Sequence, residues 1–173
     1  YYFYNSITIK PTSNLNISQN INSSINQNYN SPFPSSIGGF ERIKIQPIKN
    51  QLPKKYSINL INKSFSVFEN PKNNETIAIY QMIYSNNISS NNIFKEIVSI
   101  IPLSSRQLPN LIILKNLPAN YYGVSSISSN KTIYSLIALN NSKICSVFFD
   151  SEAHTSNTVV NLLESTARIC FKV

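Results

Sequence analysis

The stretch with the makings of a reactive site is "DSEAH", where Asp150, Glu152 and His154 occupy alternate positions. On an extended backbone alternate side chains point the same way. Two carboxylates and an imidazole would then share one side and offer oxygen and nitrogen donors to a divalent cation. The same residues read differently just before a helix, where acids and small polar groups complement the unpaired N–H groups of the first turn. Capping is the expected role, and a weak metal site on Asp150, Glu152 and His154 is the sharper alternative. With one histidine in the chain, any Ser–His or Cys–His pair must use His154. No serine sits in a glycine-rich elbow, and Gly38-Gly39 is an isolated pair rather than a phosphate-cradling loop. No catalytic residue and no cofactor is expected.

Cys145 and Cys170 lie in the apolar contexts "KICSVFF" and "RICFKV". Such surroundings raise a thiol's pKa and leave it inert, and there is no CxxC spacing. Two buried thiols are expected, with a disulfide as the alternative if their strands are neighbours.

Binding is better supplied than catalysis. The net charge of +8 reflects few acids, seven Asp and Glu against fifteen Lys and Arg. Seven of those bases fall within one stretch: Arg42, Lys44, Lys49, Lys54, Lys55, Lys63 and Lys72. A basic face attracts an acidic partner, and a merely solvated face is the plain alternative. The chain lacks an Arg-rich cluster, and its tyrosines are not interleaved with the bases, so a nucleic-acid partner is not favoured. Aromatic side chains make good interface anchors, and Tyr1, Tyr2, Phe3 and Tyr4 lead a segment poor in other apolar residues. Those four, with Arg42, Lys44, Lys49, Lys54 and Lys55, are the candidate partner-binding residues.

Asn and Ile each occur 26 times, Gly three times and Trp never. This bias points to AT-rich coding and inflates motif matches. The asparagine runs read as tolerated surface filler, and seven Asn-x-Ser/Thr sequons, including Asn16, Asn62 and Asn130, are close to chance for this composition. No run approaches the roughly 20 apolar residues of a membrane span. The chain opens "YYFYN", without Met or an apolar leader, and removal of a targeting segment is expected.

These residues must be positioned by the elements around them. Residues 1–37 read as an extended, low-complexity arm in which Pro32 and Pro34 oppose regular pairing. Such a segment buries too little apolar area to offset an ordering cost of about 1–2 kcal/mol per residue, so a partner surface is expected to hold it. Residues 38–173 read as a single domain. "FERIKIQPI" is expected to form a strand ended by Pro47, and "KKYSINLINKSFSVFENP" one or two more. After a turn at 71–74, "ETIAIYQMIY" reads as a buried strand. A helix capped by Ser90 then carries Ile93, Phe94, Ile97 and Ile100 or Ile101 at helical spacing and ends at Pro102. "LIILK" and "NYYGVSSIS" read as strands. A hairpin follows, with strands 132–139 and 144–149 joined by a four-residue turn. Val159, Val160, Leu163 and Ala167 mark a final helix, after which Ile169, Phe171 and Val173 alternate as a strand would. Strands, a helix, more strands and a last helix predict an α+β domain, an antiparallel sheet flanked by helices.

The closing pattern resembles the C-terminal half of the PsbP family, extrinsic photosystem II subunits of the thylakoid lumen. It consists of Tyr121-Tyr122 opening a strand, the hairpin turned at "NNSK", an amphipathic helix and the ending Ser165, Thr166, Ala167, Phe171 and Val173. "FEN" at Phe68–Asn70, with the strand and helix after it, is similar to that family's middle section, so the likeness spans about residues 65–173. The chain departs from the family in lacking Trp and the glycine of the hairpin turn. The resemblance implies a PsbP-like α/β/α sandwich. It also implies a non-catalytic accessory subunit, peripheral on the thylakoid membrane, that shields the oxygen-evolving centre and helps retain its calcium and chloride. The expected partner is a larger, membrane-embedded complex with an acidic surface. The same fold serves Ran-binding import factors, which makes a soluble regulatory module the competing expectation. An accessory protein of an organellar ribosome or respiratory complex is a third.

Overall fold

The computed structural model describes residues 31–43, 54–100, 106–107, 120–128, 131–151 and 156–173. The core of the fold is one ribbon of chain that turns back on itself repeatedly. β1 (Ser36–Ile37) and β2 (Phe40–Ile43) form a tight hairpin, and a 3-10 turn at Lys54–Ser57 precedes β3 (Leu60–Glu69) and β4 (Thr76–Tyr84). Helix α1 (Asn87–Ser99) follows. Then come β5 (Arg106–Gln107), β6 (Asn120–Ser128), β7 (Lys131–Asn140), β8 (Lys143–Ser151) and helix α2 (Ser156–Lys172). All eight strands join one sheet in the order β1-β2-β3-β4-β8-β7-β6-β5, and every pairing is antiparallel. The expected α+β class is therefore observed.

The register explains the two-sided burial. Phe68, Ile77, Phe149 and Tyr134 face one another across β3, β4, β8 and β7, as do Ile79, Val147 and Leu136 in the next row. This face carries the main core, closed by Val159, Val160, Leu163, Ala167 and Cys170 of α2. Phe40 meets Phe149 edge-on at 6.0 Å between centroids. The intervening residues point the other way. Met82, Tyr84, Ile137, Leu139 and Ile144 are buried there, and α1 packs its buried Ile93 and Ile97 against β4, β7 and β8.

Several expectations change on meeting the structure. The folded unit starts at Ser31, upstream of Gly38, because Phe33, Ile37 and Phe40 are core residues. Arg42 fastens this stretch: its backbone N–H donates to Ser35 O at 2.8 Å and its guanidinium to Phe33 O at 2.8 Å. Pairing there is confined to two residues after Pro34. Gly38 and Gly39, at φ +54° and +88°, supply the doubly left-handed loop that a two-residue hairpin of right-handed twist requires.

The cap of α1 is Asn86 rather than Ser90. Its extended backbone (φ −154°) lets its side chain accept from Ser89 N at 2.8 Å. Ser90 lies buried one turn inside and donates to Asn141 O at 2.8 Å, tying the helix to the β7–β8 hairpin. That hairpin closes with a two-residue turn, Asn141-Ser142, and not four, since Asn141 adopts φ +53°.

The last segment is helical to Lys172, where alternation of Ile169, Phe171 and Val173 predicted a strand. Thr166, Ala167 and Cys170 continue the buried stripe. Gln81 Nε2 donates to Cys170 O at 2.6 Å and to Val173 O at 3.2 Å, and Lys143 Nζ donates to Phe171 O at 3.2 Å. The final carbonyls of the helix, which have no partner within it, are thus satisfied by the sheet. "LIILK", Pro47 and Pro102 lie outside the described residues, as do residues 1–30 of the arm expected over 1–37; residues 31–37 belong to the folded unit.

Candidate docking surface

The basic stretch looked like one face in the sequence; the sheet divides it. β3 separates its ends by nine residue steps, about 30 Å at roughly 3.3 Å per residue. Arg42 pairs opposite Phe68 and Lys72 lies in the turn beyond Glu69, both at the distal end of β3. Lys54 and Lys55 lie in the 3-10 turn at the proximal end, with Lys63 three residues into the strand. Arg42 of the candidate set is thus apart from Lys54 and Lys55, which share one turn, and Lys44 and Lys49 lie outside the described residues.

The two ends differ electrostatically. At the distal end Glu41 sits directly across from Glu69, Glu75 precedes β4, and Asp150 faces Thr76. These carboxylates offset Arg42 and Lys72. At the proximal end the acid among the described residues is Glu96, which forms an ion pair with Lys55. The hydrogen bond that Lys55 donates to the Glu96 carboxylate raises the pKa of its ammonium above the ordinary value, and the Lys55 nitrogen lies 5.1 Å from the centre of the Tyr56 ring. Lys54 and Lys63 carry the uncompensated charge, so the proximal end is the basic one.

Sequence reasoning missed the apolar side chains in the same place. Ile58 is 63% exposed, Ile61 67% and Ile88 75%. Asn59, between the first two, has φ +61°. Its side chain donates to Ser89 Oγ at 2.8 Å and its carbonyl accepts from Ser85 N at 2.9 Å, which brings the first turn of α1, with Ile88, to the segment that carries Ile58 and Ile61. The β3–β4 register slips between Leu60 and Asn62, making Ile61 the extra residue of a bulge, and bulges re-aim a side chain. Beneath the patch, Tyr84 donates from its hydroxyl to Tyr56 O at 2.9 Å. The exposed isoleucines therefore stand on a cross-linked corner.

Asp150 is the penultimate residue of β8, while Glu152 and His154 lie outside the described residues, so neither the capping nor the metal expectation meets the structure there. Among the described residues no group of three or more His, Cys, Asp and Glu could hold a metal ion. Tyr1, Tyr2, Phe3 and Tyr4 also lie outside them. The cysteines do not remain thiols. Cys145 on β8 and Cys170 on α2 form a disulfide with Cα atoms 6.2 Å apart, and both are fully buried. They join strand to helix instead of strand to strand, because the helix keeps its period beyond Ala167.

No family model matches the chain, no curated protein matches it, and no solved structure matches it.

Proposed function

We propose that the chain is a non-catalytic accessory subunit that works outside the reducing cytosol on a membrane-associated complex, in the manner of a PsbP-like extrinsic subunit of photosystem II. The observation that carries this reading is the Cys145–Cys170 disulfide. Disulfides persist in oxidising compartments and are rare in cytosol and nucleus. That favours a lumenal subunit over the Ran-binding import factor that shares the PsbP-like fold. The basic end offers an orienting surface for an acidic partner. In this role the sheet is a rigid mount, and specificity comes from what docks against its surface.

Two measurements test it. Alkylating free thiols in intact cells, then denaturing the protein, should leave Cys145 and Cys170 unlabelled unless a reductant is added first. Labelling without reductant would place the protein in a reducing compartment and remove the case for a lumenal subunit. Gentle solubilisation of membranes should co-purify the full chain with a larger complex. Recovery of the chain from the nuclear fraction instead would support the import-factor alternative.

A further inference from the structure

We propose that the proximal corner formed by Ile58, Ile61 and Ile88, flanked by Lys54 and Lys63, is a docking site for an anionic lipid surface. Monomeric domains rarely gather large exposed aliphatic side chains in one place, and such clusters mark interaction sites. Three observations select lipid as the occupant. The corner is built: a left-handed Asn59, a bulge at Ile61 and the Asn59–Ser89 hydrogen bond hold the three side chains outward. Its composition is aliphatic plus lysine. Protein interfaces favour aromatics, Met and Arg and are poor in Lys, whereas an apolar face entering the headgroup boundary is bordered by basic side chains, Lys included, that meet anionic lipid. Its charge is complementary, since the described acids other than the paired Glu96 gather at the opposite end of the sheet or on α2.

In this geometry the isoleucine methyls enter the headgroup boundary while the flexible lysines reach phosphates around them. Lys55, held by Glu96, braces the turn more than it contributes charge. The distal end, with Glu41, Glu69, Glu75 and Asp150, faces away from the membrane. This inference is independent of the subunit proposal, because it requires lipid and no protein partner.

The test uses the full chain and sedimenting vesicles of phosphatidylcholine, with and without about one third phosphatidylserine. Wild type should bind the anionic vesicles and release from them in high salt. Replacing the isoleucines together (I58S/I61S/I88S) should lower partitioning roughly tenfold or more. Lys54→Glu with Lys63→Glu should lower it similarly, each lysine near a charged surface being worth about 1 kcal/mol. All five side chains are exposed, so near-ultraviolet circular dichroism should be unchanged. A fluorophore on Ile61→Cys should shift to the blue on anionic vesicles. Unchanged binding by the triple serine variant would show general attraction by a net charge of +8 and would overturn the proposal. Absence of vesicle binding, or a patch that binds an acidic protein but no lipid, would overturn it too.

Discussion

Asparagine carries much of the backbone work in this chain. With three glycines available, the left-handed positions outside the β1–β2 turn fall, among the described residues, to Asn59, Asn74 and Asn141, the residue that tolerates that region best after glycine. Asn86 caps α1, and Asn70 and Asn73 close the β3–β4 turn by accepting from Lys72 N and Glu75 N. The compositional bias hid these roles: when one residue in seven is Asn, no single asparagine stands out. Tyr84 is the other decisive residue. Burial pushes the Tyr80 and Tyr84 phenols up to about 12 from 10. Raised folded-state values mean that the unfolded chain loses its protons first, so stability is intact below pH 10 and declines from pH 10 to about 12. Tyr84→Phe should cost about 1 kcal/mol at pH 7 through loss of the bond to Tyr56 O and should flatten that alkaline decline. Urea titrations at pH 7 and pH 11 check both halves.

Among the elements, α2 shows local pattern yielding to long-range contact. The alternation of Ile169, Phe171 and Val173 is a legitimate strand signal over five residues. The helix nevertheless continues, because Cys170 meets Cys145 and the last carbonyls meet Gln81 and Lys143. None of those partners is near in sequence. The disulfide spans 25 residues, and a loop of that size stabilises by about 3 kcal/mol in the chain-entropy account. Replacing both cysteines by Ala should lower the unfolding free energy by about that amount, with the helical circular dichroism retained under native conditions. A loss below about 1 kcal/mol would mean that packing alone seats α2. By contrast β4, β6, β7 and β8 were legible in the sequence. Each pairs along nearly its whole length with β-rich apolar neighbours, so local preference and global environment agree.

For the whole molecule, the lower limit of the folded unit and the distribution of charge matter most. Phe33 is buried in the main core, although two prolines and a run of Ser and Asn surround it. Chains starting at Ser31 and at Ile37 should differ sharply: the second lacks Phe33 and should be about 3–5 kcal/mol less stable, as for truncation of a core phenylalanine. Equal thermal midpoints would put Phe33 outside the core. The charge is segregated along the sheet, with lysines and exposed isoleucines at one end and most described acids at the other. Composition could count those groups but not place them.

What the sequence determined by itself was the alternation and length of the central strands, the existence of two helices and the α+β class. Each depends on side chains a few positions apart, and chain geometry fixes how those meet. Only the tertiary structure decided that the basic stretch divides, that the cysteines join a strand to a helix and that three isoleucines share a corner with lysines. These outcomes depend on register and packing between segments distant along the chain, where a one-residue shift reverses which side chains meet.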